Sequence, residues 1–150
     1  MTAISALLYK TFMTYSKFRV KTPIKSFRDL EVYQEATKLS AQLFNLKIPE
    51  KYQSEELNVE LGTLKENSKL ITKFIVESYN DKFTQIGLAS KKLELAAQTA
   101  NMIVAKLDFL NALVEDQEWR DMMAGILKRY QRLKMRTLNL KRAWERVFQK

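Results

Sequence analysis

The sequence predicts an all-α protein: an up-down-up-down antiparallel four-helix bundle over residues 26–150, preceded by a flexible basic arm over residues 1–25. Three observations predict it. The 150 residues include only three Gly and two Pro. An all-β chain needs turn-forming residues about every eight to twelve positions, so this scarcity points to long helices. Apolar residues make up 46%, which excludes a wholly disordered chain and suffices for one core. Finally, apolar residues alternate at spacings of three and four through four separate stretches, the signature of helices that each bury one face.

The arm comes first. "MTAISALLYKTFMTYSKFRVK" has no acid and is mildly amphipathic, superficially like a transit peptide. Lys10 and Lys17 interrupt any apolar region of the kind a cleaved signal needs. Met13 offers an alternative start, which would leave the first twelve residues as a leader. "KTPIKS" around Pro23 closes the arm.

Ser26-Phe27-Arg28-Asp29 reads as a capping-box variant, a Ser hydroxyl at the N-cap and a carboxylate three residues on. Val32, Ala36, Leu39, Leu43 and Leu46 then form the inward stripe of a first helix over 27–46. Pro49 ends it, because the residue before a proline is driven out of the helical region. The second helix, 53–80, carries Leu57, Leu61, Leu64, Ser68, Ile71, Ile75 and Ser78. "YNDKF" is the following turn, with Asn80 and Asp81 as cap residues.

The third helix, 82–114, has the most regular stripe: Ala89, Leu93, Ala96, Ala100, Ile103, Leu107, Leu110 and Val114. Its small residues allow a neighbouring backbone to come close. "VEDQE" breaks the chain again, and Asp116 is the expected N-cap of a fourth helix over 117–148. That helix buries Trp119, Met122, Ile126, Tyr130, Leu133, Thr137, Leu140, Trp144 and Val147. Short loops and heptad spacing favour antiparallel neighbours crossing at small angles.

Rotating helix four by 100° per residue separates two further stripes. Lys128, Arg129, Arg132, Arg136, Arg142 and Arg146 share an arc of about 140° beside the core seam. On the other flank lie Met123, Leu127 and Leu138, apolar residues the primary seam does not need, and these are the expected contact with a second subunit. Tyr130 belongs to the core seam, which removes it as a base-stacking platform.

Charge distribution sharpens the basic arc. The formal charge is +9, yet residues 29–118 hold fifteen acids against ten Lys and no Arg. All eight Arg lie in the first 28 or last 32 residues. Arg is the side chain suited to bidentate contacts with phosphate or carboxylate. Basic side chains on successive turns, about 5.4 Å apart, suit a polyanion held by its backbone without sequence readout. Arg19 and Arg28 on the arm are secondary candidates.

Chemistry other than binding finds little support. With no Cys and no His, disulfides, thiolate sites, Ser-His-Asp triads and His-ligated metals are all excluded. Glu55, Glu56 and Glu60 cluster early in helix two, where acids favour the helix dipole. Glu66 and Glu77 lie near the seam and read as solvated or ion-paired. Gly62, Gly87 and Gly125 each stand alone within helical patterns, so no phosphate-cradling loop is present. The chain is therefore expected to be non-enzymatic, without cofactor or metal. No apolar run approaches the ~20 residues of a membrane span, and laying the apolar stripe on a bilayer surface would remove the bundle's own core. The absence of Cys fits a reducing compartment, and the expectation is cytoplasmic.

A family resemblance enters through helix one. "KTPIKSFRDLEVYQEATKL", Lys21–Leu39, resembles the opening of the bacterial four-helix-bundle proteins named for 23S ribosomal RNA intervening sequences. Ser26, Phe27, Asp29, Leu30, Val32, Tyr33 and Gln34 match the family's Ser-Phe-x-Asp-Leu-x-Val-[Trp/Tyr]-Gln. "LITKFIVES", Leu70–Ser78, keeps Ile71, Ile75 and Glu77 of a second-helix motif but lacks its Pro, Asn and Gly. "IGLASKKLEL", Ile86–Leu95, is loosely similar to a third-helix motif. Leu61, Gly62, Glu66 and Asn67 resemble a feature of one branch, the accessory variability determinants of diversity-generating retroelements. That resemblance implies a homopentamer with a basic surface, a reverse transcriptase as partner, and RNA or DNA as ligand, which the basic arc would hold through phosphates.

Together these readings give an expected function: a non-enzymatic, oligomeric nucleic-acid-binding accessory protein supporting a retroelement reverse transcriptase. The alternative is a structural protein–protein adaptor of the intervening-sequence family, with no nucleic-acid role.

Overall fold

The computed structural model of the protein describes residues 23–148. Four α-helices form the bundle: α1 Glu31–Phe44, α2 Glu55–Asp81, α3 Ile86–Leu113 and α4 Gln117–Phe148. Each helix packs on its neighbours in sequence, and α4 returns against α1. Ser40 Oγ meets Ser68 Oγ at 2.7 Å across α1 and α2, and Ser78 Oγ donates to the Ala89 carbonyl at 2.7 Å across α2 and α3. These short polar contacts let buried hydroxyls sit in an otherwise apolar seam, because each has a partner.

The helix starts follow local chemistry, with one shift. The capping box forms: Ser26 Oγ accepts from the Arg28 amide at 3.2 Å, and Asp29 Oδ2 accepts from the Ser26 and Lys25 amides at 3.1 and 2.8 Å. Those bonds hold the Asp29 carboxyl below its ordinary range, the Lys25 amide most of all. The box caps only a 3-10 turn, Phe27–Asp29, after which Leu30 is extended and α1 begins at Glu31. α1 also ends at Phe44, while Leu46 and Ile48 continue into the core from the loop, 4% and 2% exposed.

Ser54 caps α2 by accepting from the Leu57 amide at 3.1 Å, and Asp116 Oδ1 caps α4 through the Trp119 amide at 2.8 Å. Asn80 and Asp81 do not cap α3; both end α2, and α3 starts four residues later than the sequence suggests, at Ile86. The Asp81 carboxylate instead meets Lys92 at 2.7 Å.

The core contains every predicted residue of the third-helix stripe, and all of the second-helix stripe except Leu57, which is partly buried. In α4 the seam shifts. Met122 and Val147, expected inside, are 46% and 59% exposed, and Met123 is fully buried instead. The cause is the unequal length of the two helices flanking α4. α3 has 28 residues and α1 has 14, about 42 Å against 21 Å at 1.5 Å per residue. Met122 and Val147 point to the α1 side. Near Met122 the α1 helix has already ended, leaving an opening of about 420 Å³ beside Leu46 and Ile126.

Candidate nucleic-acid interface

The six basic residues expected on one α4 face divide into two groups. Lys128, Arg132, Arg136, Arg142 and Arg146 are exposed, spread over 19 residues, or about 27 Å of helix. Among the described residues none of the five meets a carboxylate in an ion pair. Arg142 Nη1 donates only to Asn139 Oδ1 at 3.0 Å, one turn away on its own helix. Arg129 has a different role. Its Nε pairs with Glu35 Oε1 at 3.2 Å and its Nη1 donates to Gln42 Oε1 at 3.0 Å. It therefore fastens α1 to α4 and leaves the arc.

Two lysines of α4 are also held internally. Lys141 lies between Glu94 at 3.4 Å and Glu145 at 3.3 Å; its hydrogen bond to Glu145, then that to Glu94, raises its pKa above the ordinary lysine value. Lys134 Nζ donates to Asn101 Oδ1 at 3.4 Å. Both stand on the α3 side of α4, so the remaining cations concentrate on the outward face. Met135, 51% exposed, is the one large apolar side chain within it.

Arg136 is also the rim of an open groove of about 710 Å³ between the start of α1 and the second half of α4. Leu30, Val32, Leu140 and Trp144 line it, and so do the carboxylate residues Asp29 and Glu31. Arg28, exposed, stacks its guanidinium over the Phe27 ring at 4.7 Å. Arg19 lies outside the described residues.

Of the expected subunit-contact flank, Met123 is taken into the core while Leu127 and Leu138 stay partly exposed. Met123 is 0% exposed, inside the core of its own chain. Leu127 packs half-buried against that core, and half-buried Leu138 lines a shallow hollow with Ala97, Gln98 and Asn101 of α3. Small residues along α3 let it approach α4 closely and cover this flank. Tyr130 is likewise fully buried; its hydroxyl has no hydrogen-bond partner among the described residues, and burial raises its pKa, keeping the phenol neutral.

One cation was not singled out by sequence. Lys82, 6% exposed, sits with Nζ 3.3 Å from the Tyr79 ring centroid, 4.0 Å from Phe83 and 5.6 Å from Trp144. Burial lowers its pKa, while the aromatic faces and the Tyr79 carbonyl at 3.4 Å replace part of its hydration. A lysine flanked by aromatics at positions 79 and 83 is the signal that marks such a cage.

Among the described residues no helix is long and apolar enough to cross a membrane. No family model, curated protein or solved structure matches the chain.

Proposed function

We propose that the protein is a nucleic-acid-binding accessory bundle whose α4 arc grips a phosphate backbone. The observation that carries the reading is the exposed row of Lys128, Arg132, Arg136, Arg142 and Arg146, whose charges no carboxylate among the described residues neutralises. A row about 27 Å long tracks several phosphates of a strand and carries affinity without base readout. The resemblance of Leu61, Gly62, Glu66 and Asn67 to the accessory variability determinants supports a reverse transcriptase as the protein partner and a retroelement as the setting. An acidic protein surface is the competing occupant of the same arc.

The test measures anisotropy of labelled single-stranded RNA and DNA across a salt series, with wild type and Arg132→Glu/Arg136→Glu. Binding should weaken at least about tenfold in the double variant, with a log–log salt slope shallower by about two. Unchanged affinity would remove the arc. No binding to either polymer, together with co-purification of one acidic protein, would favour the adaptor reading.

A further inference from the structure

The outer face of α3 carries a row of large apolar residues along its length, interrupted by Lys91 and Lys106, although its inner face already supplies the core. Leu88, Met102, Phe109 and Leu113 are 41%, 40%, 59% and 44% exposed, and Leu95 between them is half-buried. At 100° per residue these five fall within an arc of about 60°, turned about 120° from the core seam. Leu88, Leu95, Met102 and Phe109 follow one another at intervals of seven. That is a second heptad seam, and a helix apolar on two faces is normally covered on both.

We propose that this seam pairs with the same seam of a second copy of the chain, antiparallel, about a two-fold axis near residue 100. The sequence of the seam itself selects the occupant. Between the large residues, at the alternate seam positions, stand Lys91, Gln98, Ala105 and Ala112. In the antiparallel register that sets residue 88 against 112, Leu88 meets Ala112 and Leu95 meets Ala105 of the second copy. Met102 meets Gln98, and Phe109 meets Lys91. Each large side chain thus opposes a small or amphipathic one, as interdigitation requires.

Charge agrees with this arrangement. A parallel pair would set Lys91 against Lys91. The antiparallel pair brings Lys91 over the Phe109 ring and beside Asp108, both exposed and neither ion-paired among the described residues. Lys92 and Glu94, which flank the seam and would meet Lys106 and Asp108, are already neutralised within their own chain by Asp81 and Lys141. The stripe runs about 38 Å. The pairing leaves the α4 arc uncovered, and it closes at two copies, in place of the five implied by the family resemblance.

The chain has no Cys, so engineered cysteines test the register directly in the full-length protein. Mixing Gln98→Cys with Met102→Cys under mild oxidation should give a disulfide-linked dimer, while Met102→Cys alone should not crosslink, because only directly opposed positions such as 98 and 102 approach closely enough. Light scattering should show two protomers for wild type and one for Phe109→Lys, with helical circular dichroism retained because Phe109 is outside the core. Lys91→Glu should weaken the dimer at least about tenfold, and Lys91→Glu/Asp108→Lys should restore it. A monomeric wild type, a five-protomer mass, or crosslinking of Met102→Cys with itself would each overturn the proposal.

Discussion

α3 and α4 lie side by side and contribute equally regular seams to one core, yet their outer faces are opposites. α3 carries five charged residues in 28 and α4 twelve in 32. The inner faces obey the same demand, close packing of Leu, Ile and Ala around buried Tyr130. No packing demand acts on the outer faces of a lone chain, so their composition reflects what they meet outside it. An apolar seam on α3 fits a protein surface, and an arginine row on α4 that meets no carboxylate among the described residues fits a polyanion. The two proposed assembly roles are thereby separated by one helix width.

The comparison is broken most strongly from within α3. Leu107, 0% exposed, and Phe109, 59% exposed, stand two residues apart. Leu107→Ala should cost about 2–5 kcal/mol in denaturant unfolding through the cavity it leaves. Phe109→Ala, measured where the protein is monomeric, should change stability by less than about 0.5 kcal/mol. Equal losses would show that the outer seam is already packed within the single chain.

Within α4 the contrast is sharper still, between neighbours of one residue type. Arg129→Ala should loosen α1 and cost about 0.5–1 kcal/mol, because the Glu35 pair is partly exposed and solvent screens it. Its effect on RNA affinity should stay within about twofold, far below that of Arg132→Glu/Arg136→Glu. A loss of affinity as large as that of the double variant would place Arg129 back among the phosphate contacts.

The smallest expected effect concerns pH at the far end of the pair, where α2 meets α4. The Lys82 pKa is depressed by burial in the folded protein, so the unfolded chain holds that proton to higher pH. Stability should therefore be lowest while Lys82 is charged in both states, and should rise as pH climbs through the folded pKa toward the unfolded value of 10.5. Lys82→Met removes this dependence. Thermal melts of both proteins across that alkaline window read the effect as a difference that changes with pH; a constant difference would rule it out.

Much of the fold was legible because helix periodicity is local. The α3 stripe from Ala89 to Val114 and the Asp116 cap are set by residues within a few turns of each other, and both form as the pattern predicts. The arc was legible as a direction on α4 but not as a list of available charges. Arg129 and Arg132 are indistinguishable by spacing and type. Glu35, 94 residues away in sequence, takes only the first. The family resemblance and its partners stand as expectations that the proposed measurements address.

By itself the sequence determined four helices, their order, which face of each turns inward, and the concentration of Arg at the ends of the chain. Those follow from spacing, caps and breakers acting over short range. Only the tertiary structure decided where the seams end and which side chains remain outside. Met123 went in and Met122 stayed out because α3 runs the length of α4 and α1 covers half of it. A stripe on a helix is a property of one segment; its cover is a property of the neighbours that happen to reach it.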